Sequence, residues 1–189
     1  MQYIPTLVDE ETRKELLDDI AKRAKNDMLF VEVGAFVGGT VCHLGQRLKE
    51  YNKNCRIIAI DNWICSEVSS QSLDFIGSNG NFLEVFNKNI EKTGIKDIVN
   101  TIQGDSIEIS KQFLDNSIDF LFVDGLHSYP YNKYELEAWL PKMKKDSILA
   151  GHDYCSLSYM PSMLHELFGD NIKLTSNKAT YIINLGKGL

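Results

Sequence analysis

Ile118-Asp-Phe-Leu-Phe-Val-Asp-Gly-Leu-His-Ser-Tyr129 and, downstream, Ser147-Ile-Leu-Ala-Gly-His-Asp-Tyr154 decide the fold. Each is a short apolar run that stops at acids and histidines. Adjacent buried parallel strands deliver polar side chains to one rim of an α/β sheet in this way. Asp124 closes the first run, with His127 three residues on, and His152 with Asp153 closes the second. Four oxygen- or nitrogen-bearing groups therefore converge from two strand ends, enough for a metal and a base.

Working outward, the same alternation extends along the chain. Leu16, Leu17, Ile20, Ala21 and Ala24 recur at helical spacing between charged residues, so residues 1–27 read as a helical cap ahead of the first strand. Met28 to Val33 then reads as a buried strand, Gly38 to about Tyr51 as a helix and Arg56 to Ile60 as a second strand ending at Asp61. A polar stretch without a period, about 64–80, is a candidate lid. A helix from about Asn81 to Thr93, a strand from Ile98 to Gln103 and a helix from Ser106 to about Leu114 lead to the strand at Ile118. A helix from about Tyr131 to Leu140 and the strand from Ser147 complete five β-units in strict alternation, which requires a largely parallel sheet. A short helix near Ser162 to Phe168 precedes two runs, Ile172 to Thr175 and Ala179 to Leu185, that read as a closing antiparallel hairpin. The expected fold is a single α/β domain over 1–189 with a mostly parallel, seven-stranded sheet.

Composition narrows the partners. A net charge of −6 carries no Lys/Arg stripe, so a nucleic-acid partner is not expected. No apolar run approaches the ~18 residues of a membrane span, and the first residues lack a signal-peptide pattern; the expected location is the cytoplasm, with no membrane partner. Cys42, Cys55, Cys65 and Cys155 show no Cys-x-x-Cys spacing. They read as reduced thiols, with Cys42 and Cys155 in packing roles.

The turn Val31-Glu-Val-Gly-Ala-Phe-Val-Gly-Gly-Thr40 joins the first strand to the first helix, where a glycine-rich backbone offers N–H groups to a ligand. A dinucleotide site would require glycine at position 36, but Phe36 stands there, so NAD and FAD are disfavoured. No P-loop lysine pattern is present for a nucleoside triphosphate. Glu32 suits a cationic ligand group, and Asp61 at the next strand end can take both hydroxyls of a ribose. The ligand implied is a nucleoside that carries a positive charge.

Glu32-x-Gly34 with Gly38-Gly39, then Asp61, then Gly104-Asp105-Ser106 resembles the S-adenosylmethionine site of the Rossmann-like methyltransferases. The Glu-x-Gly followed by Gly-Gly-Thr is similar to small enzymes of the macrocin O-methyltransferase type. The resemblance implies cofactor contacts at Glu32, Gly34, Gly38, Asp61, Trp63, Asp105, Ser106 and Asp124, with Asp61 on the ribose, Asp105 on the adenine amino group and Trp63 over the base. It also implies a reversed seventh strand.

The spacing between Asp124 and His152–Asp153 resembles that of the divalent-metal-dependent O-methyltransferases, in which an acid ending the fourth strand and two groups ending the fifth hold the ion. This implies a metal at Asp124, His152 and Asp153, with Mg²⁺ the expected ion, and His127 as catalytic base. His152 departs from the acid common there; it would orient substrate or favour a softer ion. A hydroxyl is a poor nucleophile until its proton is removed, and a histidine titrates in a useful range for that task. The expected function is methyl transfer from S-adenosylmethionine to a hydroxyl of a small molecule, with a sugar first among acceptors. Two other readings use the same rim: a metal-dependent hydrolase or lyase, and a non-catalytic nucleoside-binding module.

Overall fold

Strand residues of this chain alternate between two cores, and that alternation sets the layers. Along β1 (Leu29–Val33) and β4 (Ile118–Val123), Phe30, Phe120 and Phe122 face one side and Val31, Val33, Leu121 and Val123 the other. In the computed structural model, which describes residues 2–4, 6–64 and 81–187, these strands join β2 (Arg56–Asp61), β3 (Val99–Gln103), β5 (Met143–Gly151), β6 (Lys173–Leu174) and β7 (Tyr181–Asn184). The sheet order is β3-β2-β1-β4-β5-β7-β6, parallel throughout except that β7 runs antiparallel to β5 and β6. The seven-stranded, mostly parallel sheet with a reversed seventh strand is the expected one.

The face carrying Phe30, Phe120 and Phe122 is covered by three helical elements. The cap is a π-helical turn, Thr12–Leu17, running into α1 (Asp18–Arg23), and beside it lie α2 (Gly39–Glu50) and α3 (Phe82–Lys92). The cap residues Leu16, Leu17, Ile20, Ala21 and Ala24 are all buried, as their spacing requires. Asp18 ties this cap to α2 through bonds from Arg47 Nε and Nη2, both 2.7 Å, and a 2.7 Å contact with His43. On the other face α4 (Ser106–Ser110), α5 (Tyr131–Trp139) and α6 (Met160–Phe168) bury Ile109, Leu136, Trp139, Met163 and Leu164.

Three local expectations change. α4 stops at Ser110 rather than near Leu114, because the chain tightens there into three-residue bonds, Gln112 N to Ile109 O and Phe113 N to Ser110 O. β5 begins at Met143, four residues before Ser147; the buried Met143 pairs with Ile118, and a register shift spanning the polar Lys144–Asp146 precedes the regular ladder from Phe120–Ile148. Cys155 is exposed while Cys55 is buried, so of the two cysteines given packing roles only Cys42 is inside. The candidate lid, about 64–80, lies outside the described residues apart from Ile64. Among the described residues no helix is long and apolar enough to cross a membrane.

Candidate active site

The strand order reverses direction between β1 and β4, and a parallel sheet opens a crevice at the carboxyl ends of the strands flanking such a point. Ladder-like bonds carry the pairing past the strand ends: Asp124 N to Val33 O at 2.8 Å, His152 N to Val123 O at 3.1 Å and Gly104 N to Asp61 O at 2.9 Å. Gly34, Asp61, Gly104, Asp124 and His152 therefore arrive together at one rim. A cleft of about 560 Å³ opens there, lined by Glu32, Gly34, Asp61, Trp63, Asp105, Ser106, Asp124, His127, His152 and Asp153 among others. Of the residues singled out in the sequence only Gly38 stands back from it.

The glycines earn their places by geometry. Gly34 has φ +85°, and a Cβ there would lie 2.0 Å from the Asp124 carbonyl oxygen, so the β1 end can approach the β4 end only without a side chain. Gly38, at φ +84°, is the residue before α2, where a Cβ would press on the Phe86 ring at 2.9 Å. Gly39 and Thr40 line the cleft in its stead.

Glu32 falls in period with Phe30 on the α2 side of the sheet, which buries it to 6% exposure beneath Thr40. The Thr40 hydroxyl donates to its Oε1. Burial pushes the Glu32 carboxyl up to about 8, against the Thr40 bond, with the negative Asp124 and Asp61 adding to the rise. Asp61 accepts from Phe36 N at 2.8 Å and from Trp63 N at 2.7 Å, and burial raises its pKa despite these donors. The Trp63 ring packs on Phe86 with centroids 5.2 Å apart and donates its indole N–H to Phe36 O at 2.7 Å, so it is anchored in the core while it lines the cleft.

Asp105 caps α4, accepting from Glu108 N at 3.0 Å, and its other oxygen accepts from the Tyr131 hydroxyl at 2.8 Å. The Ser106 side chain turns inward: Oγ donates to Glu135 Oε1 at 2.5 Å and accepts from Trp139 Nε1 at 3.1 Å, which leaves the hydroxyl committed within the fold. Glu135 itself was not anticipated. It is 1% exposed, burial pushes its pKa up to about 7, and its Oε2 has no hydrogen-bond partner among the described residues. An acid inside the stripe Asn132, Glu135, Leu136, Trp139 that α5 buries was the available signal.

At the opposite end His127 Nε2 lies 2.9 Å from Asp153 Oδ2 and 3.8 Å from Asp124 Oδ1. Asp124 and Asp153 together push its pKa up to about 10. The expectation of a histidine titrating in a useful range is corrected here, since in this arrangement the ring holds its proton well above neutrality. His127 and His152 conversely hold Asp153 well below the usual carboxylate range, while burial raises Asp124. Burial works to lower the His152 pKa, but Asp153, Asp124 and Asp9 outweigh it and raise it to about 9. His152 Nδ1 stands 3.4 Å from Asp153 Oδ1 and 3.8 Å from Asp124 Oδ1. One ligand atom from each of Asp124, His152 and Asp153 falls within 4.8 Å of the others. Two carboxylates and one ring nitrogen form a donor set that fits a divalent cation. Asp9, the second residue missed in the sequence, reaches His152 from the cap.

A switch-point cleft at the rim of a doubly wound sheet, with an acid on β1 and another at the end of β2, is that of a Rossmann-like α/β domain. Residues 31–154 match the methyltransferase domain family, and the chain belongs to it. A search of curated proteins gives no match. Similar solved structures include a methyltransferase from Geobacter sulfurreducens, 18% identical with a TM-score of 0.63, covering 94% of this chain and 80% of that one. The O-methyltransferase TomG from Streptomyces achromogenes, solved with S-adenosylmethionine, is 14% identical with a TM-score of 0.62, covering 97% and 84%. The TDP-rhamnose 3'-O-methyltransferase of calicheamicin biosynthesis is 17% identical with a TM-score of 0.62, covering 94% and 79%. At these identities the likeness speaks for the fold.

Proposed function

We propose that this protein transfers a methyl group from S-adenosylmethionine to a hydroxyl of a small molecule, with a divalent cation held by Asp124, His152 and Asp153. The observation that carries the reading is that one cleft holds both halves of the required chemistry. Glu32, Asp61 and Asp105 line its first half, and Asp124, His127, His152 and Asp153 its second. A hydrolase or lyase would have no use for the first half, and a nucleoside-binding module none for the second.

S-adenosylmethionine supplies, when bound, a methyl group made electrophilic by its sulfonium. The cation supplies acidification of the acceptor hydroxyl. Asp61, already oriented by Phe36 N and Trp63 N, keeps free lone pairs for the paired hydroxyls of a ribose. Glu32 offers its charge to a cationic group, which offsets the repulsion from Asp61 and Asp124. Asp105 and Tyr131 close the end of the cleft assigned to the base, and Trp63 lines its side. His127 holds a proton at Nε2 while Asp153 is its partner. In its neutral form Nε2 would take the proton of the acceptor hydroxyl, and Asp153 would steady the imidazolium that results. A glycosyl hydroxyl is the proposed acceptor, a reading supported by the resemblance to the macrocin O-methyltransferase type and by a structural neighbour that methylates TDP-rhamnose.

The test is calorimetric titration of the purified protein with S-adenosylmethionine, followed by detection of the demethylated product with a panel of hydroxyl acceptors, with and without chelator. Binding followed by acceptor-dependent turnover is expected. A protein that does not bind the cofactor would overturn the reading.

A further inference from the structure

Asp9 lies 143 residues from His152 in sequence and touches it in space. Its Oδ2 accepts from His152 Nε2 at 3.1 Å. The carboxylate is itself fixed at the start of the cap, with Oδ1 accepting from Thr12 N at 2.7 Å and Oδ2 from the Thr12 hydroxyl at 2.8 Å. Thr12 in turn is fully buried and shares a 2.6 Å hydroxyl bond with Thr180 beside β7. Glu15 bonds Ser176 N at 3.0 Å, and Asp18 clamps the cap to α2. The cap therefore presents Asp9 to the rim from a rigid mount rather than from a loose end.

The consequence concerns the other ring nitrogen. With Nε2 engaged by Asp9, Nδ1 is the nitrogen that faces Asp153 and Asp124. A carboxylate that accepts one N–H of an imidazole fixes the ring's tautomer and orientation and makes the opposite nitrogen a stronger donor. Imidazole nitrogen suits first-row transition ions, whereas Mg²⁺ favours an all-oxygen octahedron.

We infer that Asp9 is a positioning residue for the cation site. It holds His152 through Nε2–H so that Nδ1 joins Asp124 and Asp153 in a one-nitrogen, two-carboxylate set, and the site takes a first-row transition ion such as Mn²⁺ or Zn²⁺ in preference to Mg²⁺. The inference rests on the proposed reading that the rim holds a cation. The N-terminal cap thereby becomes part of the site, and the Asp9–His152 contact more than a clamp between two parts of the fold.

The experiment compares wild type with Asp9→Ala and the near-isosteric Asp9→Asn, measuring Mn²⁺, Zn²⁺ and Mg²⁺ affinity by calorimetry, S-adenosylmethionine affinity and thermal melting. Wild type should bind Mn²⁺ and Zn²⁺ at least ~10-fold more tightly than Mg²⁺, and loss of an outer-shell carboxylate should cost ~10–100-fold in their affinity. Asp9→Asn, which keeps an acceptor oxygen but loses the charge, should fall between wild type and Asp9→Ala. Cofactor affinity should stay unchanged in both. In wild type, the ¹⁵N resonance of His152 Nδ1 rather than Nε2 should move when Zn²⁺ is added. If both variants melt lower yet bind Mn²⁺ and Zn²⁺ as wild type does, Asp9 is only a structural clamp and the inference is overturned. Equal wild-type affinity for Mg²⁺ and Mn²⁺ overturns the choice of ion. A wild-type protein that binds the cofactor but no divalent cation overturns instead the cation half of the proposed function, and the inference with it. Should Asp9→Ala fail to fold, Asp9→Asn and the wild-type resonance shift decide the question.

Discussion

Replacing Glu32 with Gln should make the empty protein more stable and cofactor binding weaker, and the two effects can be sized separately. Glu32 is 6% exposed, and its carboxyl is pushed from 4.5 to about 8 by burial, with Asp124 and Asp61 adding to the rise. A folded pKa above the unfolded one means that the group's contribution is fully present below 4.5 and is lost as pH rises through about 8. At ~1.4 kcal/mol per pH unit, the gap between the unfolded and folded pKa values of Glu32 costs the fold about 5 kcal/mol near pH ~9 and about 1.5 kcal/mol near pH ~5.5. Gln keeps an oxygen for the Thr40 hydroxyl and does not ionise, so the advantage of Glu32→Gln over wild type should grow by roughly 3 kcal/mol across that interval. For a chain of this size each kcal/mol moves Tm by ~2–4 °C, so melting scans should show the advantage widening by roughly 6–12 °C between the two conditions. Calorimetry should show S-adenosylmethionine bound at least ~10-fold more weakly, since a hydrogen bond to a charged group contributes ~1.5–3 kcal/mol. A Tm difference that stays flat across this pH range would refute the ionisation argument. Unchanged affinity would remove Glu32 from the cofactor site.

Three further outcomes are expected. Asp61→Ala should weaken S-adenosylmethionine binding at least ~10-fold and also lower Tm, because Phe36 N and Trp63 N lose their acceptor; unchanged affinity of the folded variant in calorimetry would sink the ribose assignment. Chelation should suppress turnover and spare cofactor binding, an expectation that full methyl transfer in excess EDTA, with no metal detected in the protein, would defeat. His127→Ala should retain cofactor affinity while kcat falls ~10²–10⁴-fold, and transfer within about threefold of wild type would move the base elsewhere. The raised pKa of His127 adds stability that is fully present below 6.5 and lost as pH rises through about 10, so the Tm deficit of that variant should close toward alkaline pH.

The strands and their ends were legible because burial of a parallel sheet demands apolar runs, and the places where those runs break into acids mark the rim. Asp61, Asp124 and Asp153 are such breaks, and all three line the cleft. What a side chain does at the rim was less legible. Ser106 follows Asp105 directly, yet its hydroxyl serves Glu135 and Trp139 on α5, a pairing set by how two helices pack and not by local spacing. Asp9 was readable as a helix start, since Thr12 stands three residues on, but nothing within its neighbourhood in sequence points to His152. The charge state of His127 likewise belongs to its neighbours: a ring that would titrate near neutrality alone is held protonated by Asp124 and Asp153 arriving from two strands.

The two halves of the cleft handle charge in opposite ways, and this bears on what each can accept. Among the described residues the donors to Glu32 and Asp61 are the Thr40 hydroxyl and backbone N–H groups of Phe36 and Trp63, and burial raises both pKa values. A positively charged ligand group would, on the proposed reading, favour the ionised form of these acids and lower both pKa values again. In the other half, Asp124 and Asp153 raise the pKa of His127 to about 10, and Asp153, Asp124 and Asp9 outweigh burial to raise that of His152 to about 9. On the proposed reading a divalent cation held by Asp124, His152 and Asp153 would compete with protons for His152, so its affinity would rise with pH. By the same reading His127, whose Nε2 lies 2.9 Å from Asp153 Oδ2 and whose pKa the two acids raise to about 10, would act as base only in its neutral form, so turnover should rise toward alkaline pH.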